Sequence, residues 1–242
     1  MPRNLYLSKN LAVLLYQMNF VGHYFVDHGV QDADYTLGKI LPDLLRNFSK
    51  SIRLNASDLE GKGQGEPLYM GIRMHFRTDR VFHDSALFRE RSAEINGRLK
   101  NSVLSIRKYR FFFAHVLLEM LIDRCLLIRH PGLGEGFYHQ LAAADKQTLS
   151  DFFEAQGWLH LIDGFWAFLQ RFISSEYLLQ YVHNESLIFA LGRIGERVGL
   201  KSAVGMADEG LVGLIDSYTD TLCKELPGFF ESLTKKISDD DK

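Results

Sequence analysis

Residues 107–128, RKYRFFFAHVLLEMLIDRCLLI, limit what this chain can fold into more than any other stretch. Beyond a charged first turn the segment is apolar on nearly every side. Phe111, Phe112, Phe113, Val116, Leu117, Leu118, Leu121, Ile122 and Leu126 leave no face for water, the pattern of a helix buried at the centre of a domain. His115, Glu119 and Asp123 recur within it at a spacing of four, which stacks them along one face. A bilayer span needs about 20 mostly apolar residues, and these ionisable groups interrupt the run, so no membrane partner is expected. A buried carboxylate is costly unless it is paired, hydrogen-bonded or bound to a metal. Whatever satisfies His115 and Glu119 is therefore the first pointer to function.

The remaining apolar periodicity is also helical. Leu37, Ile40, Leu41, Leu44, Leu45 and Phe48 repeat at three and four, and Pro42 is expected to interrupt that helix in a turn that aims Asp43 inward. Residues 68–82 read as a helix bearing His75 and Asp79 four apart, with Arg73, Arg77 and Arg80 on a neighbouring face. A charged helix over 86–100 precedes the central one. The run His130-Pro131-Gly132-Leu133-Gly134-Glu135-Gly136 is expected to stop the central helix. It is not a dinucleotide fingerprint, because it follows a helix and not a strand. Further helices are expected over 145–156, 159–173, 176–198 and 203–237, punctuated by Gly157, Gly199 and Gly205.

There is no alternating strand pattern, internal repeat or compositional break across the 242 residues. The expectation is one compact all-α domain over 18–237. Residues 1–17 are read as an added extension and 238–242 as an acidic tail. The two cysteines, Cys125 and Cys223, form no CxxC and imply no disulfide framework, so a reducing cytoplasm is the expected location. The net charge of -2 is unevenly spread. Between Lys39 and Arg110 there are 15 Lys and Arg against 8 Asp and Glu, a net of +7, so the rest carries -9. Such a basic stretch suits an anionic protein or substrate, or pairs with the acidic remainder of the same molecule.

Five short stretches hold candidate ligands: His23, Asp43, His75 with Asp79, His83 with Asp84, and His115 with Glu119. A single histidine is more often packed or capping than ligating. The recurrence of imidazole–carboxylate pairs at helical spacing points to a divalent metal, and mixed donors of this kind suit manganese, iron or zinc.

These motifs resemble the acyl carrier protein phosphodiesterase family, also called acyl carrier protein hydrolase, which is related to the helical HD-domain phosphohydrolases. Its opening Met-Asn-Phe-Leu-Ala-His is similar to Met18-Asn19-Phe20-Val21-Gly22-His23. Its leucine-rich turn holding an aspartate resembles residues 37–46, with Asp43. Its Gly-Ile-x-x-His-Arg-Arg-Ile-Asp signature resembles Gly71-Ile72-Arg73-Met74-His75-Phe76-Arg77-Thr78-Asp79. The Arg-Arg-Tyr before its central helix resembles Arg107-Lys108-Tyr109, and two weaker matches fall at 178–181 and 227–230.

The resemblance implies an HD-like fold and hydrolysis of the phosphodiester that joins 4′-phosphopantetheine to a serine of acyl carrier protein. It implies a divalent metal, manganese foremost, held by His23, Asp43, His75 and Asp79, with His115 and Glu119 completing or flanking the site. Asp79, Arg77 and His83 are the expected catalytic groups, Arg77 steadying phosphate. The implied partner is acyl carrier protein, and no nucleic acid is expected. The chain departs from the family at Phe82-His83, where the family has Thr-Asp, and at His115 and Glu119-Met120, where it has Asp and then Asp-His. The alternatives are a relative that binds an acidic carrier protein or nucleotide-like ligand without cleaving it, and a phosphohydrolase acting on another small substrate.

Overall fold

The computed structural model describes residues 20–101, 109–197 and 209–239. Among them every regular element is helical: α1 (Phe20–Phe25), α2 (Ala33–Phe48), α3 (Pro67–His83), α4 (Ala86–Arg98), α5 (Arg110–Arg129), α6 (Leu133–Ala142), α7 (Lys146–Ala155), α8 (Ile162–Ser175), α9 (Asn184–Arg197) and α10 (Glu209–Asp239). Short 3-10 turns lie at Ala56–Leu59, Leu99–Asn101, Leu159–Leu161 and Tyr177–Val182. The protein is all-α, and no helix among the described residues is long and apolar enough to cross a membrane. The expected extension over 1–17 lies outside the described residues. So do 240–242 of the expected tail, whereas Ser238 and Asp239 continue α10.

The central position of α5 follows from its composition. From Phe113 to Leu126 every residue except His115 is buried. The helix packs against α1, α4, α6, α9, α10 and the 177–182 turn. Each leucine or phenylalanine buried there contributes about 1.5–3 kcal/mol. The all-round burial expected from sequence fails in the first turn, where Phe111 is 69% exposed. The Arg110 guanidinium lies over its ring, 5.6 Å from the centroid, and covers part of it.

Pro42 does not interrupt α2, which runs straight through it. Proline costs a helix about 3 kcal/mol or more, but twelve of the sixteen residues of α2 are buried against α1, α3, α6 and α8. Packing on that scale outweighs the penalty, and Asp43 is carried inward by the helix itself. The chain after α5 also differs from expectation. Gly132, in the left-handed region at φ +87°, reverses direction, and α6 follows at once, with Leu133, Phe137 and Leu141 on its buried face. The stretch expected as one helix over 176–198 is broken. Glu176 has φ +45° and ends α8. The Leu178 N–H donates to the Tyr138 hydroxyl at 3.2 Å, and Arg124 donates to the Tyr181 carbonyl at 3.3 Å. Tertiary side chains thus satisfy backbone groups that a continuous helix would have paired internally.

Two features set the helices that converge on the polar interior. The first is the contact between α2 and α3. A methyl group on Gly38 would meet the Leu68 carbonyl, and one on Gly71 would meet the Tyr35 carbonyl, so the two backbones touch only because both residues lack a Cβ. The second fixes α1. The Asp123 carboxylate on α5 accepts the Gly22 N–H at 2.8 Å. The buried Lys39 amine donates to the Tyr24 carbonyl at 3.1 Å and to Asp27 at 3.2 Å. Asp27 itself sits at φ +82° and accepts the Tyr35 hydroxyl at 2.5 Å. Burial pushes the Asp123 carboxyl well above its ordinary range, against the opposing pull of the α1 N–H groups.

Gly71→Ala tests the helix contact. Intrinsic propensity favours alanine in a helix by about 1 kcal/mol, whereas forcing a methyl against backbone costs about 1–3 kcal/mol or more. Thermal unfolding is expected to fall, by roughly 2–4 °C for each kcal/mol lost net. An unchanged or raised melting temperature would show that the two helices are not in contact.

Candidate metal centre

Four helices deliver seven imidazole and carboxylate side chains to one place. α1 brings His23 and α2 brings Asp43. His75, Asp79 and His83 repeat at four along α3, and His115 and Glu119 do so along α5. The four-residue spacing makes each helical pair one-sided, and the α2–α3 contact sets the depth of the cluster. His23, Asp43, His75 and Glu119 are buried. Asp79, His83 and His115 have side chains 30%, 29% and 36% exposed, so the cluster opens to solvent on their side.

The groups form two sets joined by Asp79. His23, Asp43 and His75 can each offer one ligand atom with all three atoms within 4.8 Å of one another, and so can His83, His115 and Glu119. Asp79 Oδ1 lies 3.3 Å from His23 Nε2 and 3.9 Å from His83 Nε2, and its Oδ2 lies 3.7 Å from His75 Nε2. His83 Nε2 is also 3.9 Å from Glu119 Oε1, which sits 2.8 Å from His115 Nε2. The His23 and His75 rings stack at 4.2 Å. Phe88 stands edge-on to His83 and His115, at 4.6 Å and 4.8 Å.

One hydrogen bond decides the chemistry of His75. Its Nδ1 lies 2.8 Å from the Lys39 carbonyl. A carbonyl only accepts, so Nδ1 carries a proton, and Nε2 is the ring nitrogen turned toward the cluster. This backbone–histidine arrangement orients metal-ligating imidazoles. Two further atoms, His23 Nδ1 and Glu119 Oε2, are buried without a hydrogen-bond partner.

The electrostatics reflect crowding of like charge. Burial pushes the Asp43 carboxyl up to about 7; Asp79 and Glu119 add to the shift and His75 opposes it. Burial also works against ionised Asp79. The hydrogen bond from His23 and the neighbouring His75 and His83 outweigh it and hold Asp79 well below the usual carboxylate range. Burial lowers His23, with His75 adding to the effect, and lowers His83. For His115 burial is outweighed by the bond to Glu119, and its pKa rises. Unprotonated imidazole and carboxylate oxygen are what manganese, iron or zinc take. Together with the orphaned atoms and the orientation of His75, this donor set fits a divalent cation.

All six residues expected as ligands lie in the cluster, as does His83, expected as catalytic, which groups with His115 and Glu119. Arg77 lies outside it. Two residues beyond His75, it points from another side of α3 and donates to the Ile237 carbonyl of α10 at 3.1 Å. Asp84, paired with His83 in the sequence, is exposed and caps the end of α3. Met120 faces the apolar core. Two contributors escaped the sequence reading: the Lys39 carbonyl, which no side-chain pattern signals, and Asp123, which the spacing of four put on the ligand face but which lies a turn beyond and holds α1. Comparison of the chain with protein-family models, with curated proteins and with solved structures finds no match.

Asp43 supplies a test with a defined sign. Its folded pKa, about 7, is above its ordinary value of 3.8. Its contribution to metal-free stability is therefore fully present below about pH 4 and is lost as pH rises through about 7. In chelator at about pH 8, Asp43→Asn is expected to melt above the wild type, and the gain should vanish near pH 4. With excess manganese the order should reverse, because the wild type, with all its donors, gains more binding free energy than the variant; one ion contributes about 2.7 kcal/mol at a hundredfold excess over Kd. Scanning calorimetry across pH with and without metal checks both halves; an Asp43→Asn protein that melts below the wild type in chelator at pH 8 would contradict the assignment.

Proposed function

We propose that this protein is a metal-dependent phosphohydrolase that cleaves a phosphodiester, with the 4′-phosphopantetheine linkage of holo-acyl carrier protein as its substrate. The observation that carries the reading is the convergence of four imidazoles and three carboxylates from four helices on one cluster that is buried on one side and partly exposed on the other, with His75 oriented by the Lys39 carbonyl so that its Nε2 faces the other donors. His23, Asp43, His75 and Asp79 would hold the ion, and His83, His115 and Glu119 line the side that substrate reaches. A bound divalent cation polarises phosphoryl oxygens and activates water for attack.

The protein side chains have distinct tasks. The Lys39 carbonyl and Asp123 orient, respectively, His75 and the helix bearing His23. His115 lies at the solvent side of the cluster with its Nε2 2.8 Å from Glu119 Oε1, so it completes the outer group of donors with Glu119 and His83. Phe88 packs edge-on against the two outer imidazoles and helps to hold their rings. Arg77 donates to the α10 backbone, so in this reading the cluster and its cation, and not Arg77, meet the charge of the phosphate. The net +7 between Lys39 and Arg110 supports docking of an acidic carrier protein.

Incubation with holo-acyl carrier protein and manganese, followed by intact mass measurement, is expected to show loss of the phosphopantetheine mass. Asp79→Ala should abolish it, while a distant surface change such as Lys146→Ala should not. Cleavage of a generic phosphodiester but not of holo-carrier would keep the reaction class and remove this substrate. Stable binding of the carrier with its mass unchanged under every metal tried would move the protein to the binding-only alternative.

A further inference from the structure

We propose that the cluster is built for two divalent cations. One is held by His23, Asp43 and His75, the other by His83, His115 and Glu119, and Asp79 is shared between them. This deepens the metal-dependent reading above and rests on it.

Three observations carry the inference. The first is the partition of donors. Each set contains two imidazoles and one carboxylate whose ligand atoms can lie within 4.8 Å of one another, a complete three-residue protein site by itself. One ion contacting all seven groups would need an unusually high number of protein ligands for manganese, iron or zinc. The second is the place of Asp79. Its Oδ1 faces an imidazole of each set, at 3.3 Å from His23 and 3.9 Å from His83, and its Oδ2 turns to His75 at 3.7 Å. A carboxylate has lone pairs enough to serve two ions at once, and no other residue of the cluster approaches imidazoles of both sets in this way.

The third is charge. Asp43, Asp79 and Glu119 bring three negative charges when ionised. With one dication the cluster keeps a net charge of -1 and repels a phosphate ester. With two it reaches +1 and attracts one. Two nearby cations also suit in-line displacement at phosphorus, where attacking and leaving oxygens both carry charge. The sets differ in exposure: the first is fully buried, while His83 and His115 are about a third exposed. The buried set is therefore the tighter site, and the outer set exchanges its ion more readily.

The full chain, stripped with chelator, reloaded with manganese and desalted, should be measured for metal content and by electron paramagnetic resonance. Two equivalents per chain are expected, with the spectrum of an exchange-coupled pair. His115→Ala should retain one equivalent and show an uncoupled ion, and so should Glu119→Gln, a near-isosteric change that keeps the fold if His115→Ala does not. Asp79→Asn should lose the coupling. One equivalent in the wild type, or two that survive both outer-set variants, would overturn the proposal. Hydrolysis supported by a single equivalent would leave the function standing and remove the second ion. Two coupled ions without cleavage of any phosphate ester would support this inference and remove the hydrolase reading.

Discussion

Mutual repulsion among Asp43, Asp79 and Glu119 is the constraint on which the rest of this structure depends. Two of the three are buried and all face one cluster. Within the protein the available relief is imidazole. His23, His75 and His83 surround Asp79, and His115 bonds Glu119. That relief is incomplete: Asp43 is driven up to about 7 by burial and by its acidic neighbours, and His23 Nδ1 and Glu119 Oε2 remain without partners. Such a concentration of buried, perturbed groups is what marks a candidate functional site.

The fold can be understood as the means of keeping these groups together. α5 supplies the apolar mass and is buried on all sides through its middle, which fixes Glu119 at depth. The glycine contact between α2 and α3 brings the Lys39 carbonyl within reach of His75. Asp123, one turn beyond Glu119, holds the short α1 by its Gly22 N–H and so places His23 over the same ring. A six-residue helix has little stability of its own, and its position depends on that carboxylate and on Lys39.

Much of this was legible in the sequence because it is periodic. The apolar all-round pattern of residues 107–128 identified the central helix, and the spacings His75–Asp79 and His115–Glu119 put each pair on one face. What could not be read is what depends on contacts between distant segments. Pro42 argued for a break, and only the burial of α2 explains why the helix survives. The glycines after His130 argued for a loop, although Leu133, Phe137 and Leu141 carry the period of α6. Glu176 to Val198 has a helical pattern, but Tyr138 and Arg124 claim its backbone groups from elsewhere in the chain. Spacing along α3 could not tell that Arg77 turns to α10, nor that His83 would join His115 across a gap of 32 positions and divide the donors into two sets.

The central claim is that cations, and not protons or packing alone, satisfy the cluster. The most direct measurement is anomalous diffraction at the manganese absorption edge from crystals of the full chain grown with that metal. The account predicts two anomalous peaks at coordination distance from Asp79, one also bound by His23, Asp43 and His75 and the other by His83, His115 and Glu119. A map without anomalous density in the cluster, its histidines and carboxylates bonded only to one another and to water, would contradict it.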